Sequence, residues 1–65
     1  MKTKCYRIRY SKDSNLWLDA YDENGYQWTN NEAGSWPFLE ERHVIKRLEQ
    51  VQISVPTAVY FASSL

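Results

Sequence analysis

The stretch Leu16-Trp17-Leu18-Asp19-Ala20-Tyr21-Asp22-Glu23-Asn24-Gly25-Tyr26-Gln27-Trp28-Thr29 decides the fold. Its first arm alternates, with Leu16, Leu18 and Ala20 on one face of a strand and Trp17, Asp19 and Tyr21 on the other. Asp22-Glu23-Asn24-Gly25 is a hairpin turn in which Asn24-Gly25 supplies the positive φ that such turns need. Two geometries compete for the second arm, Tyr26 to Thr29. A two-residue Asn24-Gly25 turn sends Trp28 outward beside Tyr21, whereas a three-residue loop with a bulge at Gly25 sends Tyr26 and Trp28 inward beside Ala20. The bulged loop is preferred, because it gathers the larger apolar set on one side.

Toward the N-terminus, Lys4 to Tyr10 alternates as another strand, with Tyr6, Ile8 and Tyr10 on one face and Cys5, Arg7 and Arg9 on the other. Ser11 to Asn15 is the polar turn between them. Residues directly opposite in an antiparallel ladder share a face. If Ile8 lies opposite Leu18, then Tyr6 meets Ala20 and Tyr10 meets Leu16 on the inner side, while Arg9 meets Trp17 and Arg7 meets Asp19 on the outer. That register predicts a cation–π contact at Arg9 and an ion pair at Arg7.

Toward the C-terminus, Asn30 to Ser35 is loop by composition. Trp36-Pro37-Phe38-Leu39 is an extended apolar lead-in, since Pro37 holds Trp36 out of helical geometry. A helix is expected from about Leu39 to Gln50, where Val44, Ile45, Leu48 and Val51 recur at helical spacing, with Glu40 and Glu41 in the first turn and Lys46 and Arg47 near the end. Ile53 to Phe61 is β-branched and aromatic and is expected to form a last strand, confined to an edge or broken by Pro56, with Ala62 to Leu65 frayed. The fold class is therefore α+β: a three- to four-stranded antiparallel sheet with one helix packed on one face, in the order β-β-β-α-β. Tyr6, Ile8, Leu16, Leu18, Trp28, Phe38, Ile45 and Leu48 are the expected core.

With 65 residues the chain has room for a single domain, residues 1–65. Cys5 is the sole cysteine, so no intrachain disulfide supplements the core and no zinc ligand set is present. Three Trp, five Tyr and two Phe supply the buried area instead, and association with a second copy would add more. One cysteine and no leader-like apolar run point to the cytoplasm, and no stretch approaches the ~18 apolar residues of a membrane span.

Catalysis has little to draw on. His43 is the sole histidine and sits on the expected helix, Cys5 has no evident activating base, and the neighbouring carboxylates Asp22-Glu23 and Glu40-Glu41 point apart. The expectation is a non-enzymatic protein with no cofactor, no metal and no small-molecule substrate.

Charge carries the information about partners. Formal net charge is zero, yet five basic residues precede the first acid, and from Asp13 to Glu41 there are seven acids and no Lys or Arg. Two readings fit this pattern: neighbouring strands carry complementary charges that pair across the ladder and keep the edges soluble, which is preferred, or an unpaired remainder forms opposed basic and acidic surfaces that steer a protein partner or a second copy. The contact face is expected on the outer side of the first hairpin, at Arg7, Arg9, Trp17, Asp19 and Tyr21, residue types enriched at binding hot spots. Nucleic acid is the alternative partner. Lys4, Tyr6, Arg7, Arg9 and Tyr10 interleave basic and aromatic groups, and three strands followed by a helix resembles the arm-binding domains of phage integrases, which implies DNA bound across a positive sheet. Asp19, Asp22, Glu23 and Glu32 depart from that pattern, and zero net charge gains little from counterion release.

The order strand, strand, short strand, Trp36-Pro37-Phe38, helix, strand, carried by Trp28-Thr29 through Leu48, resembles the short accessory proteins that phages and prophages encode. The resemblance implies a protein that binds and blocks a host factor.

Overall fold

Alternating apolar residues give the chain its strands, and they assemble as the computed structural model shows for residues 4–64. Strands β1 (Lys4–Arg9), β2 (Trp17–Asp22) and β3 (Gly25–Thr29) are followed by a short 3₁₀ turn at Glu32–Gly34, helix α1 (Glu41–Ser54) and strand β4 (Val59–Ser64). The four strands form one antiparallel sheet in the order β3-β2-β1-β4, so the helix carries the chain from one edge to the other. The fold is α+β in the expected order. Among the described residues no helix is long and apolar enough to cross a membrane.

The first hairpin has the expected register where it closes. Arg9 pairs with Trp17, and the Tyr10 N–H donates to the Leu16 carbonyl at 2.8 Å. Beyond that point β1 and β2 part company. Tyr6 exchanges two backbone hydrogen bonds with Phe38, at 2.7 and 2.8 Å, and the Trp36 N–H donates to the Leu18 carbonyl at 2.8 Å. The Trp36-Pro37-Phe38 segment is therefore a short rung between the two strands. Tyr6 consequently faces Phe38 instead of Ala20, and Arg7 has no Asp19 beside it.

The second hairpin differs from both geometries weighed for it. Asp22 pairs with Gly25 and Tyr21 with Tyr26 around a two-residue loop, Glu23-Asn24, and the register shifts only farther along, between Leu18 and Ala20. Gly25 supplies the positive φ, at 132°, a conformation that side chains resist. The irregularity at Asp19 reverses the alternation of β2. Leu18 and Tyr21 both turn toward the helix, and with them come their partners Trp28 and Tyr26. Tyr26 and Trp28 lie inward as expected, but through a bulge in β2 and not in the loop.

Helix α1 starts after Glu40, whose side chain makes no capping bond, and it runs four residues past Gln50. Val44, Leu48, Val51 and Val55 recur at i, i+4, i+7 and i+11, and this stripe outweighs the β-branched character of Ile53 to Val55. Pro56 then falls in the turn, and β4 begins at Val59, with Ala62 and Ser63 paired and not frayed. Leu65 lies outside the described residues.

Ile8, Leu18, Phe38, Val44, Val51, Val55 and Ala58 form the core between sheet and helix, with Tyr6, Tyr21, Tyr26, Trp28, Leu48 and Tyr60 packed around it. Two expected core residues are at the surface. Leu16 is 39 % exposed because it precedes β2 at the end of the sheet, and Ile45 is 41 % exposed because it lies about a quarter-turn from Val44 on the helix. Trp17 and Cys5 are buried on the sheet's other face.

Candidate functional site

The outer face of the first hairpin holds three of the five residues that the sequence singles out. Arg9 lies between two rings, 5.0 Å from the Trp17 centroid and 5.5 Å from that of Phe61 on β4. Trp17 and Phe61 meet edge to face at 5.8 Å, and Trp17 is 8 % exposed. The Arg9 guanidinium donates from Nε to the Ser14 carbonyl and from Nη1 to the Lys12 carbonyl, which binds the β1–β2 loop to the strand. Arg7 points to the same face and donates from Nη1 to the carbonyl and hydroxyl oxygens of Ser35, at 2.6 and 3.0 Å. Ser35 is buried and its hydroxyl donates to the Glu32 carbonyl at 2.6 Å. These contacts spend cationic donors on backbone carbonyls. They hold the loops that flank the sheet.

The remaining two residues are elsewhere. Asp19 is exposed at the irregularity in β2, and Tyr21 has been turned to the helix side.

Tyr21 is the floor of a second cluster, whose members lie far apart along the chain. The Trp36 ring packs on it at 5.0 Å between centroids, and the Arg47 guanidinium lies over it at 4.0 Å. The wall on one side is Trp36-Pro37-Phe38-Leu39. On the other it is the helix stripe His43, Lys46, Arg47 and Gln50, and the groove between them has a volume of about 830 Å³. Trp36 is 38 % exposed and Leu39 65 % exposed along it. Each position follows from local chemistry. Pro37 keeps Trp36 extended, the Trp36 and Phe38 backbone bonds fix the segment against β2 and β1, and the i, i+3, i+4, i+7 spacing puts the four helix residues on one side.

The groove is charged unevenly. Its acid, Glu40, is engaged with Arg42 at 3.3 Å and with His43 Nδ1 at 3.5 Å. Lys46 and Arg47 form no ion pair among the described residues. The same spacing that marks the apolar stripe marks this polar one, so the helix residues were findable from the sequence. Their conjunction with Trp36 and Tyr21 was not, because it depends on the rung between β1 and β2 and on the irregularity at Asp19. Cys5 is buried on the sheet face turned away from the helix that carries His43.

An α+β domain with an aromatic-floored, cation-rimmed groove is the class that fold and site define. No protein-family model, curated protein or solved structure matches the chain.

Proposed function

We propose that the protein is a non-enzymatic protein-binding module, and that it takes an extended acidic and apolar segment of its partner in the groove between Trp36–Leu39 and α1. The observation that carries this reading is the pairing of exposed apolar surface, Trp36 and Leu39, with the cations Lys46 and Arg47, which have no ion-pair partner among the described residues, over one aromatic floor. Aromatic and arginine side chains at the centre of a concave patch are the anchors that dominate binding energies. A carboxylate in the bound segment would complete the charge balance that Glu40, already engaged, leaves open. Masking a segment of a host protein is how a blocking role of the kind implied by the phage resemblance would operate. The basic first strand supports the nucleic-acid alternative less well, because Arg7 and Arg9 direct donors to backbone carbonyls.

The test is titration of a panel of extended peptides, with Asp or Glu flanking Leu or an aromatic residue, followed by Trp fluorescence and amide chemical shifts. Binding is expected to perturb Trp36, Leu39 and Lys46, and Trp36→Ala or Lys46→Glu is expected to weaken it by roughly tenfold or more. Binding that both variants retain in full overturns the assignment to this groove. Tight binding of single-stranded DNA that collapses with salt, with no peptide binding, overturns the protein-binding reading.

A further inference from the structure

The two edges of the sheet are unlike. The β3 edge starts at Gly25 beside Asp22 and Glu23 and pairs with a strand bent by the irregularity at Asp19. The β4 edge keeps one register with β1 from Lys4↔Ser64 to Arg9↔Val59, without a bulge. Val59-Tyr60-Phe61-Ala62-Ser63-Ser64 contains no charge and no proline. Short edges, edge charges, proline and bulges are the devices that stop strand edges from pairing, and β4 has none of them.

The ladder also fixes which backbone groups are free. In an antiparallel sheet, alternate residues direct both N–H and C=O to the same neighbour. Tyr6 gives both groups to Phe38, and Tyr10 gives its N–H to Leu16, so the even-numbered residues of β1 bond away from β4. Its odd-numbered residues bond toward β4, to Val59, Phe61 and Ser63. Tyr60 and Ala62 therefore turn their N–H and C=O groups to the outer edge, which no strand covers among the described residues.

We infer that this edge pairs with the β4 edge of a second copy, antiparallel across a two-fold axis at Phe61, to make a continuous eight-stranded sheet. A two-fold axis perpendicular to an antiparallel pair requires a residue to face itself. With Phe61 on the axis, Tyr60 lies opposite Ala62 of the second copy on both sides of it. Those are the residues whose backbone groups are free, and each bulky ring meets a small residue. The Phe61 rings, 41 % exposed in one copy, cover each other on the outer face. Without charges in β4, no like charges meet across the axis. The pairing consumes both β4 edges and so closes at two copies. It also gives so short a chain apolar burial that its own core lacks.

Sedimentation over a dilution series reads the association, with far-UV circular dichroism confirming the fold of each variant. Wild type is expected to show a reversible monomer–dimer equilibrium. Phe61→Lys puts two like charges on the axis, and Ala62→Pro removes an N–H that only the outer edge uses. Each is expected to raise the dimer dissociation constant by roughly tenfold or more. Phe61→Cys, mildly oxidised, is expected to form an interchain disulfide that holds the dimer through dilution. A wild-type protein that stays monomeric at every concentration overturns the inference, as does a dimer that both substitutions leave intact. The groove variants Trp36→Ala and Lys46→Glu are expected to dimerise as wild type does, so the two proposals fail separately.

Discussion

The molecule has two arginine–aromatic clusters, one on each face of the sheet, and they are built to opposite ends. On the outer face Arg9 lies between Trp17 and Phe61, and its donors reach the carbonyls of Ser14 and Lys12. On the helix face Arg47 lies over Tyr21 beside Trp36, with no ion pair among the described residues. A guanidinium between two rings whose N–H groups end on backbone is a clamp. One over a single ring at the rim of a groove keeps hydrogen-bonding capacity for something else. The same residue types therefore mean stability in one place and recognition in the other, and the position of the donors decides between them.

Removing the central ring of each cluster should expose the difference most sharply. Trp17→Ala takes out a side chain only 8 % exposed and is expected to cost about 3–5 kcal/mol, enough to unfold much of a domain this small. Trp36→Ala removes a ring that is 38 % exposed but packs on Tyr21, and its expected cost is smaller, about 1–2 kcal/mol. Chemical denaturation of the two variants measures both. Equal losses would mean that the groove ring is as structural as the buried one.

The arginines give the next comparison. Arg9→Ala leaves the Ser14 and Lys12 carbonyls without their charged donor and is expected to destabilise by about 1.5–3 kcal/mol. Arg9→Lys should recover little of it, since an ammonium lacks the planar fork that reaches two carbonyls while stacked. Arg47→Ala is expected to cost only about 0.5–1 kcal/mol, the worth of a partly exposed cation–π contact. The midpoint and slope of urea unfolding distinguish these cases. An Arg47 loss that matches the Arg9 loss would remove the distinction between clamp and rim.

How far each cluster could be read in advance follows from what holds it. The Arg9–Trp17 pairing was legible, because strand alternation and one assumption, Ile8 opposite Leu18, place the two side chains together. The Arg7–Asp19 pair inferred from the same register does not form. A rung made by three residues, Trp36-Pro37-Phe38, enters between the strands, and three backbone hydrogen bonds hold it without a turn motif or a long alternating run to announce it. Tyr21 departs from its expected outer face for a similar reason. The register shift at Asp19 involves no glycine or proline there, so strict alternation gave the opposite side. The helix end was obscured by Ile53 and Val55, which favour strands in isolation. The buried stripe Val44, Val51 and Val55 carries the helix past them. The element order, by contrast, follows from turn chemistry and periodicity over long segments, and it was recovered.

Strand β4 makes contacts on both faces of the sheet and allows the finest test of their independence. It sends Phe61 to Arg9 on the outer face, and on the helix face the Tyr60 hydroxyl donates to Glu41 Oε2 at 2.8 Å. That bond to the Glu41 carboxylate raises the Tyr60 pKa above the ordinary 10.0, and burial, the negative charge of Glu41 and the neighbouring Tyr6 push the same way. A phenol whose pKa is higher in the folded state than in the unfolded one contributes stability that is fully present below pH 10.0 and is lost as the pH rises through the folded value. Wild type is therefore expected to lose slightly more stability than Tyr60→Phe above pH 10.0, a difference that salt should diminish because the pair is exposed. Thermal unfolding of both proteins across that range measures it. The chemical shift of the Trp17 indole N–H beside Arg9 should be unchanged by Tyr60→Phe if the two faces are independent. A shift there would show that β4 transmits the loss of the Glu41 bond from the helix face to the clamp on the outer face.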